Sequence, residues 1–363
     1  MRDLLKWELY KIFNQKIIYV TFFLLIILST GFTFFSESDE VKQLYEEWEG
    51  ELTKEKVQDG EKLYAELLIA YPEFNLPTEL DWAKAGIYEE IAFVQGRKNE
   101  VDRRMAEIEG RSTLESKLEH ELLSNVDISS FYDRAGPSRS VGFYEYFSFV
   151  AVAVMVLIGV TPIYSKEFSS KTDAFILSSK NGRKKHVWAK IGAALIFTSA
   201  VAILIELWNL FYHYIQFGNE GWRMAMQTIP YFGFSPYPFT IAEYHFIQFG
   251  IHYVAALVFA LFVVLVSMAN SHVLMSFIIS SAFFFVPYFI YTSNPPWEWL
   301  EFITLFSFPM MMRVNELFLY FNTANVFGLP IVYPLVACIL LFLLSLVIIG
   351  SLLKGIKEKE IVS

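Results

Sequence analysis

The stretch that decides the fold is 147–215: FSFVAVAVMVLIGVTPIY (147–164), then KEFSSKTDAFILSSKNGRKKHVWAK (166–190), then IGAALIFTSAVAILIELWNLFYHYI (191–215). The outer segments are apolar runs of about 20 residues, the length a helix needs to cross roughly 30 Å of hydrocarbon. Between them lie Lys166, Lys171, Lys180, Arg183, Lys184, Lys185 and Lys190, against only Glu167 and Asp173. The chain as a whole has a net charge of −9. Its central stretch is therefore a concentrated positive patch, and the patch has a short apolar core, Ala174-Phe175-Ile176-Leu177. Topogenic charge explains the lysines and not that core.

Outward from there the pattern repeats. The 363 residues are 55% hydrophobic and 18% charged, with a mean hydropathy of +0.40, more apolar and less charged than soluble domains. The class is an all-α polytopic membrane protein. Six spans are expected: 17–35, 144–164, 191–215, 246–269, 273–291 and 329–353, with Pro162 and Pro287 near span ends. Residues 1–16 read as an amphipathic helix lying in the membrane interface, with Leu4, Trp7 and Phe13 on its apolar side and Arg2, Lys6, Lys11 and Lys16 toward headgroups. The 19-residue run that follows is long for a signal h-region and has no small-residue cleavage site, so it reads as an uncleaved first span.

Residues 37–143 are different. They hold 25 acidic and 13 basic residues, whereas the rest of the chain holds 13 and 16. Val41, Leu44, Trp48 and Leu52 mark one helical stripe; Ile87, Ile91, Val94, Val101, Met105 and Ile108 mark another. Pro72 and Pro77 separate them, so a helical hairpin is expected. Orientation follows from the basic residues: with both termini inside, 14 of the 16 outside the acidic insertion fall on the cytosolic side, and only Arg223 and Arg313 do not. The acidic insertion is then extracytoplasmic, 165–190 is a cytosolic loop, and 354–363 is a cytosolic tail. Residues 292–328, where Trp297, Trp299, Phe302, Phe306, Phe308 and Phe318 alternate with charges, read as re-entrant or interfacial helices within 191–353.

No P-loop, dinucleotide fingerprint, CxxC or nucleophile elbow is present, and no catalytic residue is expected. His120-Glu121 lacks the second histidine of a zinc helix, so no metal site is expected and a solvated helix face is the plainer reading. Cys338 reads as a small core hydrophobe. Glu206 and His213 lie on one face of the third span, with Asn209 on its flank, and Gln248 and His252 lie in the fourth. Ionisable groups inside spans mark candidate polar sites, although satisfaction by neighbouring helices is the commoner outcome. Glu145 and Glu243 read as boundary residues.

Six spans, cytosolic ends and a basic loop between the second and third resemble the permease subunits of type-2 ATP-binding-cassette transporters. The N-terminal helix matches that family's interface helix, and 292–328 resembles its outer re-entrant helices. The loop carries the family's order of a glutamate, a threonine, a leucine-rich turn, a basic residue and a lysine entering the third span, here Glu167, Thr172, Leu177, Arg183 and Lys190. Lys171 and Asn181-Gly182 stand where the family often has glycine and proline. The large insertion resembles members of Gram-positive export and antimicrobial-peptide resistance systems. The resemblance implies a multi-pass plasma-membrane subunit of a bacterium that exports a peptide, antibiotic or lipid-like substrate. It implies a homodimer or a heterodimer with a sister permease. It also implies a cytosolic ATPase subunit that holds ATP and Mg, with no cofactor on this chain. Membrane lipids are expected partners and nucleic acid is not. The residues that would couple to the ATPase are Glu167, Thr172, Phe175, Leu177, Arg183, Lys184 and Lys190. Two alternatives remain: a membrane sensor or signalling scaffold with the insertion as ligand-binding domain, and a proton-coupled carrier or intramembrane enzyme using Glu206 and His213.

Overall fold

The computed structural model describes residues 2–30, 38–72, 75–172 and 182–358. The chain begins with α1 (Arg2–Phe13) and α2 (Lys16–Ser29), which meet at a 59° bend. The acidic region follows as α3 (Asp39–Trp48), β1 (Gly50–Glu51), α4 (Lys54–Ala70), α5 (Glu79–Ile108), α6 (Leu114–Ser124) and β2 (Ser130–Phe131). Next come α7 (Ala135–Phe143), a π-helical turn over Tyr144–Ser148, α8 (Phe149–Val160) and α9 (Pro162–Ser169). The third long helix is α10 (Gly182–Phe217). It is followed by α11 (Ile241–Ala269), α12 (Val273–Thr292), short α13 (Glu298–Leu305) and α14 (Phe308–Arg313), a hairpin of β3 (Thr323–Val326) and β4 (Leu329–Val332), and α15 (Tyr333–Glu358).

Five of these helical runs are long and apolar enough to cross a membrane: Ala135–Ser169, Lys184–Phe217, Ile241–Ala269, Val273–Thr292 and Tyr333–Gly355. The bent pair α1–α2 makes a sixth when taken as one span. Among the described residues the protein is thus helical with five or six apolar helices of spanning length, compatible with a helical membrane protein. Its centre is α11, buried along most of its length against α7–α10, α12, α14 and α15. Close approach there depends on small residues, as it does wherever helices pack in lipid without a hydrophobic drive of their own. Ala255, Ala256 and Ala260 on α11, Ala151, Ala153 and Gly159 on α8, and Ala193 and Ala194 on α10 carry the crossings. At Pro162 the span breaks between α8 and α9. The Ser267 hydroxyl of α11 meets the break: it accepts from the Tyr164 and Ser165 amides, both at 3.0 Å, and donates to the Thr161 carbonyl at 2.6 Å. Backbone groups freed by a proline inside a membrane need such a partner.

Several boundaries differ from the sequence expectation. The second span begins at Ala135 rather than 144, because α7 (AGPSRSVGF) joins the same helical run while being too polar to register as apolar. Residues 166–169 and 182–190 are helical rather than loop, so α9 and α10 extend into the basic stretch. The last span begins at Tyr333, since 323–332 form an antiparallel hairpin with Thr323 opposite Val332. Within 292–328, α14 is not surface-lying: Met310, Met311 and Met312 are fully buried against α8, α11 and α12. Cys338 lies on the exposed side of α15, not in the core. Residues 31–35 of the first expected span and 359–363 of the tail lie outside the described residues.

The acidic region folds around α5. Helix α4 runs back against it, with Gly60 so close to Ile91 that a Cβ there would sit 2.8 Å from its Cγ2. The stripe residues Ile87, Ile91, Val94 and Ile108 are buried, as are Val41 and Leu44 on α3, while Val101 and Met105 are half-buried. Arg104 clamps α6 through Glu119 with two bonds of 2.7 and 3.1 Å. The β1–β2 ladder, pairing Gly50 with Phe131, closes the region at its base. Two contacts join it to the spans' connecting loops: the Arg97 guanidinium lies 4.3 Å over the Phe234 ring, and Glu115 accepts from the Thr323 hydroxyl at 3.1 Å.

A third joint, Glu90 against Arg134 at 2.8 Å, gives the region a pH dependence. Burial pushes the Glu90 carboxyl up to about 7; Asp133 adds to the rise and Arg134 opposes it. Asp133 and Glu49 are also raised, chiefly by burial. Native Glu90 binds its proton up to about pH 7, against 4.5 for the ordinary carboxyl. Its contribution to stability is therefore full below pH 4.5 and is lost as the pH climbs to 7. The expected result is a lower unfolding midpoint at pH 8 than at pH 5, read from tryptophan fluorescence, and a shallower dependence in Glu90→Gln. An increase in stability across that window would contradict this assignment.

Candidate functional site

Two polar clusters inside the apolar bundle stand out, one at each end. At the basic end, α1 lies against α10 with Trp7 exposed, Leu4 at its edge and Glu8 and Ile12 buried. Phe13 meets Phe197 of α10 edge to face at 5.6 Å. Glu8, Lys11, Glu167, His186 and Lys190 converge there from α1, α9 and α10. The Lys190 ammonium is fully buried. It donates to Glu8 Oε2 at 3.1 Å, to Glu167 Oε1 at 2.8 Å and to the Ile163 carbonyl, and it lies 4.8 Å over the Tyr164 ring. Lys11 donates to Glu8 Oε1 and to Glu167 Oε1, both at 2.7 Å. His186 Nε2 is 3.3 Å from Glu8 Oε1.

Two carboxylates thus meet two ammoniums, and the formal charge balances. Oxygen and nitrogen atoms of Glu8, Glu167 and His186 lie within 4.8 Å of one another, the spacing of a metal-ligand set. Both carboxylates already face Lys11 and Lys190, so a divalent ion would have to displace an ammonium; the donor set suits an ion-pair lock better than a metal.

The sequence-predicted coupling residues divide accordingly. Glu167 and Lys190 are brought together inside the protein rather than on its surface. Thr172 closes the end of α9, its hydroxyl 3.3 Å from the Glu167 carbonyl and 3.0 Å from Ser170 Oγ. Lys184 and Lys185 are exposed on the first turns of α10. Phe175 and Leu177, together with the Arg183 side chain, lie outside the described residues. Sequence reasoning missed Glu8 and His186. The signal for Glu8 was present: an acid at helical spacing between Leu5 and Ile12, on the face that has to be apolar.

The second cluster sits toward the other end, where α10 and α11 pass α7 and the π-helical turn. Glu206 accepts from His245 Nε2 at 2.7 Å, from Asn209 Nδ2 at 3.2 Å and from the Tyr144 hydroxyl. Glu206 and His213 do not touch. Asn209 joins them, with its Oδ1 2.8 Å from His213 Nδ1 and its Nδ2 donating to the Ser140 carbonyl at 3.1 Å. Gln248 donates to the Val141 carbonyl at 3.1 Å and to Asn315 Oδ1 at 2.5 Å, and His252 Nδ1 is 2.7 Å from the Met312 carbonyl. A further pair lies beside them: Arg313 donates to Glu145 at 2.9 Å, and Asn315 reaches Glu145 at 3.4 Å. Val314 between them adopts φ +67°, a conformation costly for a β-branched residue, and it turns both neighbours inward. Glu145 is therefore an interior ion-pair partner and not a simple boundary residue, whereas Glu243 caps α11 through a reciprocal pair with Thr240. His120 is exposed.

No family model, no curated protein and no solved structure matches this chain.

Proposed function

We propose that the chain is the transmembrane permease subunit of an ATP-binding-cassette transporter. It would export a peptide, antibiotic or lipid-like substrate from a bacterial cell across the plasma membrane. A separate cytosolic ATPase binds ATP and Mg and supplies the energy, and the permease pairs with itself or with a sister chain. One observation carries the reading: the buried lock of Glu8, Lys11, Glu167 and Lys190. It ties the N-terminal helix, the end of the second span and the start of the third into one unit at the root of the basic segment. A partner that pushes on residues 171–185 moves that unit as a whole, because buried ion pairs do not slip past one another without exposing charge to the apolar interior. The exposed Lys184 and Lys185 offer an acidic partner surface its electrostatic complement.

The test is recovery of a Walker-A ATPase with the tagged chain from its native membranes. Reversing charge at three positions together (Arg183→Glu, Lys184→Glu, Lys185→Glu) is expected to lower that recovery at least tenfold while membrane insertion is unchanged. Recovery equal to that of the unaltered chain would remove the docking role.

A further inference from the structure

The groove beside Glu206 has features that neither packing nor ATPase docking uses. It lies between α7, the outer part of α10 and the first turns of α11, and encloses about 610 Å³. That is within the range of small-molecule sites. Its rim is apolar and open to the side: Phe211 is 56% exposed, Tyr214 59% and Phe246 75%. Its floor holds Glu206 and His245.

Two details of the floor point to a ligand. Among the described residues, no lysine or arginine pairs with Glu206; its partners are the Tyr144 hydroxyl, the Asn209 amide and His245. A carboxylate in an apolar setting without a fixed cation is short of a counter-charge. Secondly, His245 is 4% exposed and its Nδ1 is buried with no hydrogen-bond partner. The floor therefore holds a carboxyl group with no lysine or arginine partner and a buried ring nitrogen with no hydrogen bond. Trp222 stands edge to face with His245 at 5.2 Å and lines the same groove.

We propose that this groove binds an amphiphile carrying a protonated amine. The ammonium pairs with Glu206, and the apolar body lies along the aromatic rim, open to the lipid. Trp222 lines the same groove beside His245, which makes binding visible. Aromatic faces next to the ammonium add a cation–π contribution. Neither the geometry nor the test depends on the transport reading, so failure of either leaves the other standing.

The test uses the full chain in lipid nanodiscs at pH 7, titrated with octylamine, 1-octanol and octyl phosphate and followed by tryptophan fluorescence. Octylamine is expected to bind at least tenfold tighter than octanol. Glu206→Gln, which keeps the shape and removes the charge, is expected to bring the two within about twofold. Trp222→Phe is expected to abolish the fluorescence change. Equal affinity for amine and alcohol in the unaltered chain would overturn the proposal. So would tighter binding of octyl phosphate, which would mean that the floor takes anions, or a signal that persists in Trp222→Phe, which would place the site elsewhere. If Glu206→Gln fails to insert, the amine-to-alcohol ratio of the unaltered chain decides alone.

Discussion

Lys190→Met is expected to destabilise the folded chain by about 3–5 kcal/mol, the usual cost of removing one member of a buried ion pair. Methionine fills a similar volume, so the loss is electrostatic. Glu8 is 2% exposed, and with Lys190 gone both carboxylates would share the single ammonium of Lys11. Two comparisons isolate the cause. Adding Glu8→Gln to Lys190→Met restores the charge balance and is expected to recover a large part of the loss. Lys11→Met alone is expected to cost less, since the Lys11 side chain is 37% exposed and water can reach the site. Unfolding midpoints of the purified chain in detergent measure all three. A midpoint for Lys190→Met equal to that of the unaltered chain would show that the lock carries no stability.

Gly159→Leu is expected to be comparably damaging for a steric reason. A Cβ at Gly159 on α8 would run into the Phe197 ring of α10. Phe197 is fully buried and rests on Phe13 of α1. The ring has nowhere to go without driving α1 off the bundle. Overpacking of this kind costs about 1–3 kcal/mol and more when backbone must move. Phe197→Ala alone leaves a cavity and costs about 3–5 kcal/mol. The double variant Gly159→Leu with Phe197→Ala refills the space and is expected to lie above either single variant. Strict additivity of the two losses, measured as midpoints, would mean that the residues do not share one packing site.

Hydropathy carried most of the architecture. Runs such as Phe149–Val160 and 335–350 are apolar on every side, and lipid admits little else. The unread parts share a cause: burial against protein permits polar residues that burial against lipid does not. Helix α7 was invisible because its small polar residues are used inside the bundle: Gly136 packs against the Gly218 carbonyl and Ser140 accepts from Asn209 through its carbonyl. Lys190 looked like surface charge because composition cannot show that Glu8, 182 positions away, comes to meet it. The Glu206 site was half legible. Helical spacing placed Glu206, Asn209 and His213 together, but Tyr144 and His245 come from other elements, and only the fold brings them in. Cys338 was misplaced because an apolar face turned to lipid and one turned to protein read alike.

That same separation of 182 positions has a consequence for biogenesis. At about 5–20 residues per second, a ribosome needs roughly 10–40 s between making Glu8 and making Lys190. Through that interval the first helix has been synthesised while its buried carboxylate has no complete set of counter-charges. It cannot complete its seat against the bundle until the third span arrives, so the first helix to be made docks fully only after a span made much later. A chain halted between residues 167 and 190 would hold Glu8 and Glu167 against the single ammonium of Lys11, one counter-charge short of the finished lock.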